Sequence, residues 1–341
     1  MHALRQARDG GRDLGSRVLT VGEPTLVTLT EIRAAADRIA GVATRTPLLR
    51  WDDTTWLKPE SLQPIGAFKM RGAYNKVASL TEAERARGVV TYSSGNHAQA
   101  VARAARLLGA RAVICMPADA PRVKIDGVER DGAEIQFTGS DSEERHALAL
   151  RLVEERGLVM VEPYDDPAII AGQGTIGLEV VEDLPGVTSV VVPVSGGGLS
   201  AGVATAMKAL RPGARVVGVE PELAADAKAS LESGELVTWR ADETGRTMAD
   251  GLRTNSLGPL PFAHLRRHLD GIVIVTEAEI ADAMRRLAHR ARLVIEPSGA
   301  ASMAAHLGGH VPRSDGDVAR VVILSGGNVD PELFRRILAD G

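Results

Sequence analysis

From about Thr28 onward, short runs of Val and Ile alternate with longer Ala/Leu/Arg stretches whose apolar residues recur at helical spacing. That alternation is the signature of repeated βα units. It predicts strands at Gly88–Tyr92, Arg111–Met116, Glu134–Phe137, Ser189–Val194, Arg215–Val219 and Val321–Leu324. Several are apolar almost throughout, as expected of strands buried on both faces of a parallel sheet. Predicted helices include Ala98–Leu108, Ser142–Glu155, Leu199–Leu210 and Glu277–Ala291, and Thr28-Leu29-Thr30-Glu31 reads as a capping box that opens an earlier one. No repeat of solenoid length is present.

Domain organisation is less legible, because the chain has no long Pro/Ser-rich linker. The best crossing points are Leu80–Ala83 and Glu162–Pro167, where Pro163 and Pro167 are expected to limit helix and Asp165-Asp166 suggests exposure. These give a large domain from 28–86 and 165–341, a small mobile domain at 87–164, and a flexible extension at 1–27.

Composition narrows the function classes. The 341 residues carry 40 Lys+Arg against 44 Asp+Glu, a net charge of −4 that argues against a dedicated nucleic-acid binder. The single cysteine, Cys115, excludes an intrachain disulfide and fits a reducing compartment, so a cytoplasmic location is expected. No apolar run approaches the roughly 20 residues that span a bilayer. The N-terminal residues lack the apolar core of a secretory signal.

Four segments carry chemistry. Pro64–Ala73 places Lys69 among small and apolar residues where a loop runs into a helix. Apolar surroundings lower a lysine pKa and make the amine a usable nucleophile or base, although a lone lysine on a solvent face is the ordinary alternative. Thr91–Ala98 follows a strand and opens an Ala-rich helix. Its free amides and Ser/Asn side chains suit a substrate carboxylate, or Ser94 or Asn96 is simply the N-cap. Val194–Gly202 contains Gly196-Gly197-Gly198 between strand and helix, more glycine than a tight turn requires, which favours a phosphate held by backbone amides. Leu324–Asp330 ends the last strong strand. Ligands sit beyond the carboxyl ends of parallel strands, so the segments that follow strands can share one crevice. Glu220 and Asp226, with the Ala224 carbonyl between them, could bind a hard cation, although on pattern alone that stretch reads as a solvated loop.

Together these stretches resemble the fold-type II pyridoxal-phosphate enzymes of the serine/threonine dehydratase and serine racemase family. The resemblance runs from about Ile32 to Leu338 through Gly66–Ala73, Ser93–His97, Ala171–Thr175, Ser195–Leu199, Ala249–Gly251 and Ser325–Asn328. It implies an α/β fold of the tryptophan synthase β type, two open, twisted, mostly parallel-sheet lobes with the cofactor between them. It also implies that Lys69 holds the cofactor as a Schiff base and then removes the substrate α-proton. By the same resemblance, Ser195, Gly196, Gly197, Gly198 and Leu199 cradle the phosphate, Asn96 meets the ring hydroxyl, Phe68 packs on the ring and Ser325 faces its nitrogen. Ser93, Ser94, Gly95, Asn96, His97 and Asp250 bind substrate. Glu220, Ala224 and Asp226 become a site for Mg or Mn.

Two residues point to different branches of that family. Ser94 stands where serine racemases keep a second acid/base, whereas Tyr164 stands where dehydratases have an aromatic residue. Dehydration of L-threonine or L-serine is the activity common to both branches. Racemisation, hydroxyaspartate dehydration and a silent amino-acid-binding protein are the alternatives. The expected partners are an amino-acid substrate and further copies of the chain, with no nucleic acid and no membrane.

Overall fold

The computed structural model describes residues 24–339, apart from 94, 121, 140–141 and 314–315. Among them, ten strands form two sheets: β1 (Leu49–Arg50), β2 (Thr55–Pro59), β3 (Val89–Tyr92), β4 (Ala112–Pro117), β5 (Glu134–Thr138), β6 (Val159–Met160), β7 (Ser189–Pro193), β8 (Arg215–Pro221), β9 (Ile272–Val275) and β10 (Arg320–Leu324). The six-stranded sheet runs β1-β2-β10-β7-β8-β9 and the four-stranded sheet β5-β4-β3-β6. Every pairing of these strands is parallel except β1 with β2.

The apolar strands are apolar throughout because helices cover both faces. In β10, Val321 and Ile323 join Val190, Val192 and the helix Gly198–Leu210 on one face. Val322 and Leu324 join Val191, Val217 and the helix Pro297–Leu307 on the other. In the smaller sheet, Ile114 and Met116 pack under the helix Asn96–Leu107, and Val113 and Cys115 under Ser142–Arg156. Burying a Val or Ile on either face contributes about 1.5–3 kcal/mol, so period-2 alternation gives no polar face to read.

Some elements depart from the sequence pattern. Pro167 does not limit helix: it is the first residue of the helix Pro167–Asp183, which Asp166 caps by accepting from Ala168 N and Ile169 N at 2.8 and 3.1 Å. Proline at that position lacks only an N–H that would have had no partner. The helix expected at Glu277–Ala291 is regular only to Arg286, continues as a π-turn and stops at Arg292, whose φ is +60°. β2 is hidden in the sequence by the charged Lys58 within it, and β6 is two residues long. The capping box at Thr28 is present, with Glu31 reaching back to Thr28 N at 2.7 Å. Of the expected extension, residues 1–23 lie outside the described residues. Val27 is buried and donates its N–H to His264 Nε2 at 3.0 Å.

Two features of this architecture position the site. Glycines on the helix Pro167–Asp183 and its neighbours allow close approach: a Cβ on Gly172 would lie 2.5 Å from Gly72 Cα, and one on Gly202 would lie 2.3 Å from Ile170 O. The helices that begin at Lys69 and at Gly198 are thus seated on one central helix. Beneath Lys69, the fully buried Arg71 donates to Glu60 at 2.7 and 2.8 Å and to Glu179 at 2.6 and 2.9 Å, and Lys58 reaches Glu179 at 2.6 Å.

Candidate active site

The loops after β3, β7 and β10 meet the start of the helix Lys69–Ser79 around one cavity of about 520 Å³. Phe68, Lys69, Ser93, Gly95, Asn96, His97, Ser195 to Leu199, Asp250 and Ser325 all line it. Ser94 lies outside the described residues.

Lys69 is the first residue of its helix, and its Nζ donates to Pro163 O at 2.6 Å. Desolvation by burial lowers its pKa to about 7, so a large fraction of this amine is uncharged near neutrality. The Phe68 ring centroid lies 5.2 Å from Nζ, and Phe68 N–H donates to Ser325 O, joining the lysine loop to the end of β10. Ser325 is buried, and its hydroxyl takes no partner among the described residues.

The loop after β3 has no side-chain N-cap. Gly95 occupies that position, and Asn96 is the first helical residue. The Ser93 hydroxyl accepts from Gly95 N at 3.2 Å. His97 Nε2 lies 3.1 Å from Val161 O, a pure acceptor, so Nε2 carries the hydrogen and Nδ1 is bare, buried and unpartnered. Burial, reinforced by the Lys69 charge, pushes His97 down to about 3. The neutral ring therefore has no N–H left for a substrate carboxylate, and only its backbone amide can serve one.

The glycine turn after β7 has packing reasons of its own. A Cβ on Gly196 would lie 2.4–2.5 Å from the Tyr164 ring, one on Gly198 would lie 3.0 Å from the Tyr164 backbone, and Gly197 has φ +90°. The number of glycines is thus accounted for without any ligand. The amides say more. Gly197 N is spent on Val194 O, whereas the N–H groups of Gly196, Gly198 and Leu199 have no backbone acceptor among the described residues. They sit at the positive end of a 13-residue helix, which suits a phosphate. Ser195 turns its hydroxyl to Gly251 O at 3.0 Å.

One cluster is not legible in the sequence. Lys124 is buried against Gly95, ion-paired with Asp250, and 4.0 Å from Glu296 Oε2. Burial opposes the Lys124 charge, but Asp250 and Glu296 outweigh it and hold its pKa above the usual value. Glu296 Oε1 accepts from Asn96 Nδ2 at 2.6 Å, while Oε2 is buried without a hydrogen-bond partner. Burial and the Asp250 charge raise its pKa to about 7. Asp250 is therefore committed to Lys124 at the cavity wall.

A raised carboxyl pKa means that the folded state binds more protons between pH 4.5 and about 7, so this group's contribution to stability is lost as pH rises through that window. Glu296→Gln keeps an acceptor for Asn96 and removes the titration. Relative to wild type, it should gain stability at pH 8 but not at pH 4.5, by up to about 3 kcal/mol. Melting curves of the cofactor-free proteins at both pH values would show this. Parallel pH dependence in the two proteins would count against it.

Residues 39–327 match the family of pyridoxal-phosphate dependent enzymes. The chain belongs to this family. It is 43% identical over 326 residues to the L-threonine ammonia-lyase of Thermotoga maritima, covering 93% of this chain and 79% of that one. A crystal structure of T.th. threonine deaminase superposes with a TM-score of 0.83 at 42% identity, covering 89% of this chain and 99% of the other. Maize serine racemase superposes with a TM-score of 0.85 at 36% identity, covering 93% and 98%. The fold is thus that of the fold-type II pyridoxal-phosphate enzymes, and the cofactor is pyridoxal phosphate. The free amides at Gly196, Gly198 and Leu199, the poorly solvated Lys69 amine and the unpartnered Ser325 hydroxyl, all on one cavity, fit that group.

The expected metal ligands lie at the end of β8 and the start of the helix Asp226–Ser233. Glu220, in β8, accepts from Ala227 N and Lys228 N at 3.1 and 2.8 Å. Asp226 opens the next helix, and both of its carboxylate oxygens are buried without a partner. Burial and the Asp226 charge push Glu220 well above the usual carboxylate range, and burial raises Asp226 to about 7. Ala224 is buried beside them. Among the described residues no three His, Cys, Asp or Glu side chains converge on a metal position, so a cation here needs main-chain carbonyl or water ligands as well.

Proposed function

We propose that the protein is an ammonia-lyase that removes the α-proton and β-hydroxyl of L-threonine, L-serine or both, giving a 2-oxoacid and ammonia. The observation that carries this reading is the Lys69 amine, its pKa near 7, facing the cavity that the free amides and Ser325 also line. Bound pyridoxal phosphate supplies the electron sink for the α-carbanion. The protein's residues do the rest. Lys69 holds the cofactor and takes the α-proton. Gly196, Gly198 and Leu199 donate to the phosphate, and Asn96 donates to the ring hydroxyl. Phe68 lies alongside. The Ser325 hydroxyl meets the ring nitrogen, where a carboxylate would protonate it more firmly. The amides that open the helix Asn96–Leu107, with Ser93, receive the substrate carboxylate. Loss of water from the substrate leaves an enamine that tautomerises and is hydrolysed.

Lys124 is committed to Asp250 and lies near Glu296, so that corner offers no net positive charge to a second substrate carboxylate. This supports neutral hydroxy amino acids over hydroxyaspartate. Racemisation is the second reading and rests on the resemblance that makes Ser94 a second acid/base. The test is a substrate panel with chiral analysis of the products. L-threonine and L-serine should release 2-oxoacid, and hydroxyaspartate should release little. D-serine formed without pyruvate would replace the lyase with a racemase.

The proposal extends to a divalent cation, Mg or Mn, at Glu220, Ala224 and Asp226, supported by the orphaned Asp226 oxygens. A cation there would neutralise two buried carboxylates and stabilise the folded state by mass action. Added Mg or Mn should therefore raise the melting temperature of wild type but not of Glu220→Ala. A wild-type melting temperature indifferent to both chelator and metal returns these residues to a purely structural role. A homodimer in the cytoplasm and a mobile unit at 87–164, whose core sheet is β3 to β6, complete the proposal.

A further inference from the structure

Asn328 lies four residues beyond β10, and neither the fold nor the chemistry derived so far gives its side chain a task. Its Nδ2 donates to Ile65 O and to Asn96 Oδ1, both at 2.8 Å, so both of its amide hydrogens are spent. Asn96 is thereby gripped at both ends, because its own Nδ2 donates to Glu296 Oε1 at 2.6 Å. A flipped Asn96 amide would set nitrogen against nitrogen at Asn328 whatever the pH, and oxygen against oxygen at Glu296 when that carboxyl is ionised. Only one orientation satisfies both neighbours. It leaves Asn96 a single unspent N–H and no free acceptor on the Asn328 side.

Asn328 itself is held by the loop that leads to Lys69. Gly66 has φ +74°, and a Cβ there would lie 2.5 Å from Asn328 Oδ1. Gly327 N donates to Gly66 O at 2.9 Å, and Ala67 bridges Gly326. The three segments that end in Lys69, Asn96 and Ser325 are therefore tied together at this one side chain.

We propose that Asn328 is a positioning residue that locks the Asn96 amide as a hydrogen-bond donor toward the ring oxygen of pyridoxal phosphate. The inference rests on the reading of Asn96 as the residue that meets that oxygen. A donor fixed in advance loses no orientational freedom when the cofactor binds. A carboxylate in place of Asn328 has no hydrogen to give Asn96 Oδ1. It would attract Asn96 Nδ2 instead, turning an acceptor toward the cofactor oxygen.

The test uses the cofactor-free protein titrated with pyridoxal phosphate. Its readouts are the affinity, the position of the visible absorption band and the pH at which that band changes. Asn96→Ala should weaken binding about tenfold or more and move the band, the effect of losing one hydrogen bond to a charged oxygen. Asn328→Asp should do the same with Asn96 intact, and should add less than about twofold when Asn96 is already alanine. If the aspartate variant does not fold, judged by melting of the cofactor-free form, Asn328→Ala decides. It removes the donor without adding charge and should move band and affinity in the same direction by a smaller amount, because Glu296 still holds Asn96. An unchanged band and affinity in a folded Asn328 variant, or additive effects in the double variant, overturn the proposal. An unchanged band in Asn96→Ala removes its premise and separates that failure from failure of Asn328 alone.

Discussion

Lys69→Ala should give a folded protein that has no visible cofactor band and turns over more than about 10⁴-fold more slowly. One side chain is both the covalent anchor and the α-proton base, and a positioned base alone contributes roughly a hundred- to ten-thousand-fold. Misfolding would not explain the loss. The folded pKa of Lys69 lies below the ordinary 10.5, so the folded state disfavours its charge and carries a penalty that grows as pH falls from 10.5 toward about 7. Alanine removes that penalty at the cost of the hydrogen bond to Pro163 O. The cofactor-free variant should therefore melt no lower than cofactor-free wild type at pH 7. Turnover that survives would sink the assignment of Lys69.

Arg71→Met should be the most destabilising conservative-volume substitution near the site, by about 3–5 kcal/mol. Among the described residues it strips the fully buried Glu60 of its only cationic partner at hydrogen-bond distance and leaves the largely buried Glu179 to Lys58. Against the roughly 5–15 kcal/mol typical of a folded domain, that loss approaches unfolding at ambient temperature. Adding Glu60→Gln should recover part of it, because the stranded charge is then gone. Arg71→Lys keeps one charge but cannot grip two carboxylates with one planar group, and should fall between. Urea or thermal unfolding of the four proteins orders them. A wild-type midpoint for Arg71→Met would mean that the buried ion cluster contributes nothing to holding the Lys69 helix.

The parts of this molecule that can be read in the sequence are those encoded locally. Strands such as Ala112–Pro117 and Arg320–Leu324 announce themselves because both faces are buried, and the Thr28 capping box fixes a helix start within four residues. Lys69 and the glycine turn are recognisable from their neighbours in the chain. The Lys124–Asp250–Glu296 cluster is not, because 172 positions separate its first and last members and only the fold brings them together. A glutamate directly before Pro297 at a helix start is its one available signal. The same distance hides Asn328, whose partners Ile65 and Asn96 lie 263 and 232 positions away.

Two expectations fail for physical reasons. Proline breaks helix interiors, which makes Pro167 look like a barrier in the sequence, yet at the first position its missing N–H costs nothing. The three glycines look surplus to a turn, but Tyr164 occupies the space that Cβ atoms on Gly196 and Gly198 would need. The phosphate site is better argued from the amides left without acceptors than from glycine number.

The proposed lyase is tested most directly by the product stoichiometry of the holoenzyme on L-threonine. Ammonia and 2-oxobutyrate should appear in equal amounts, matching the threonine consumed, with no rate after the cofactor is stripped and recovery when pyridoxal phosphate returns. Threonine consumed without 2-oxobutyrate, or product formed equally well by the stripped protein, would contradict it.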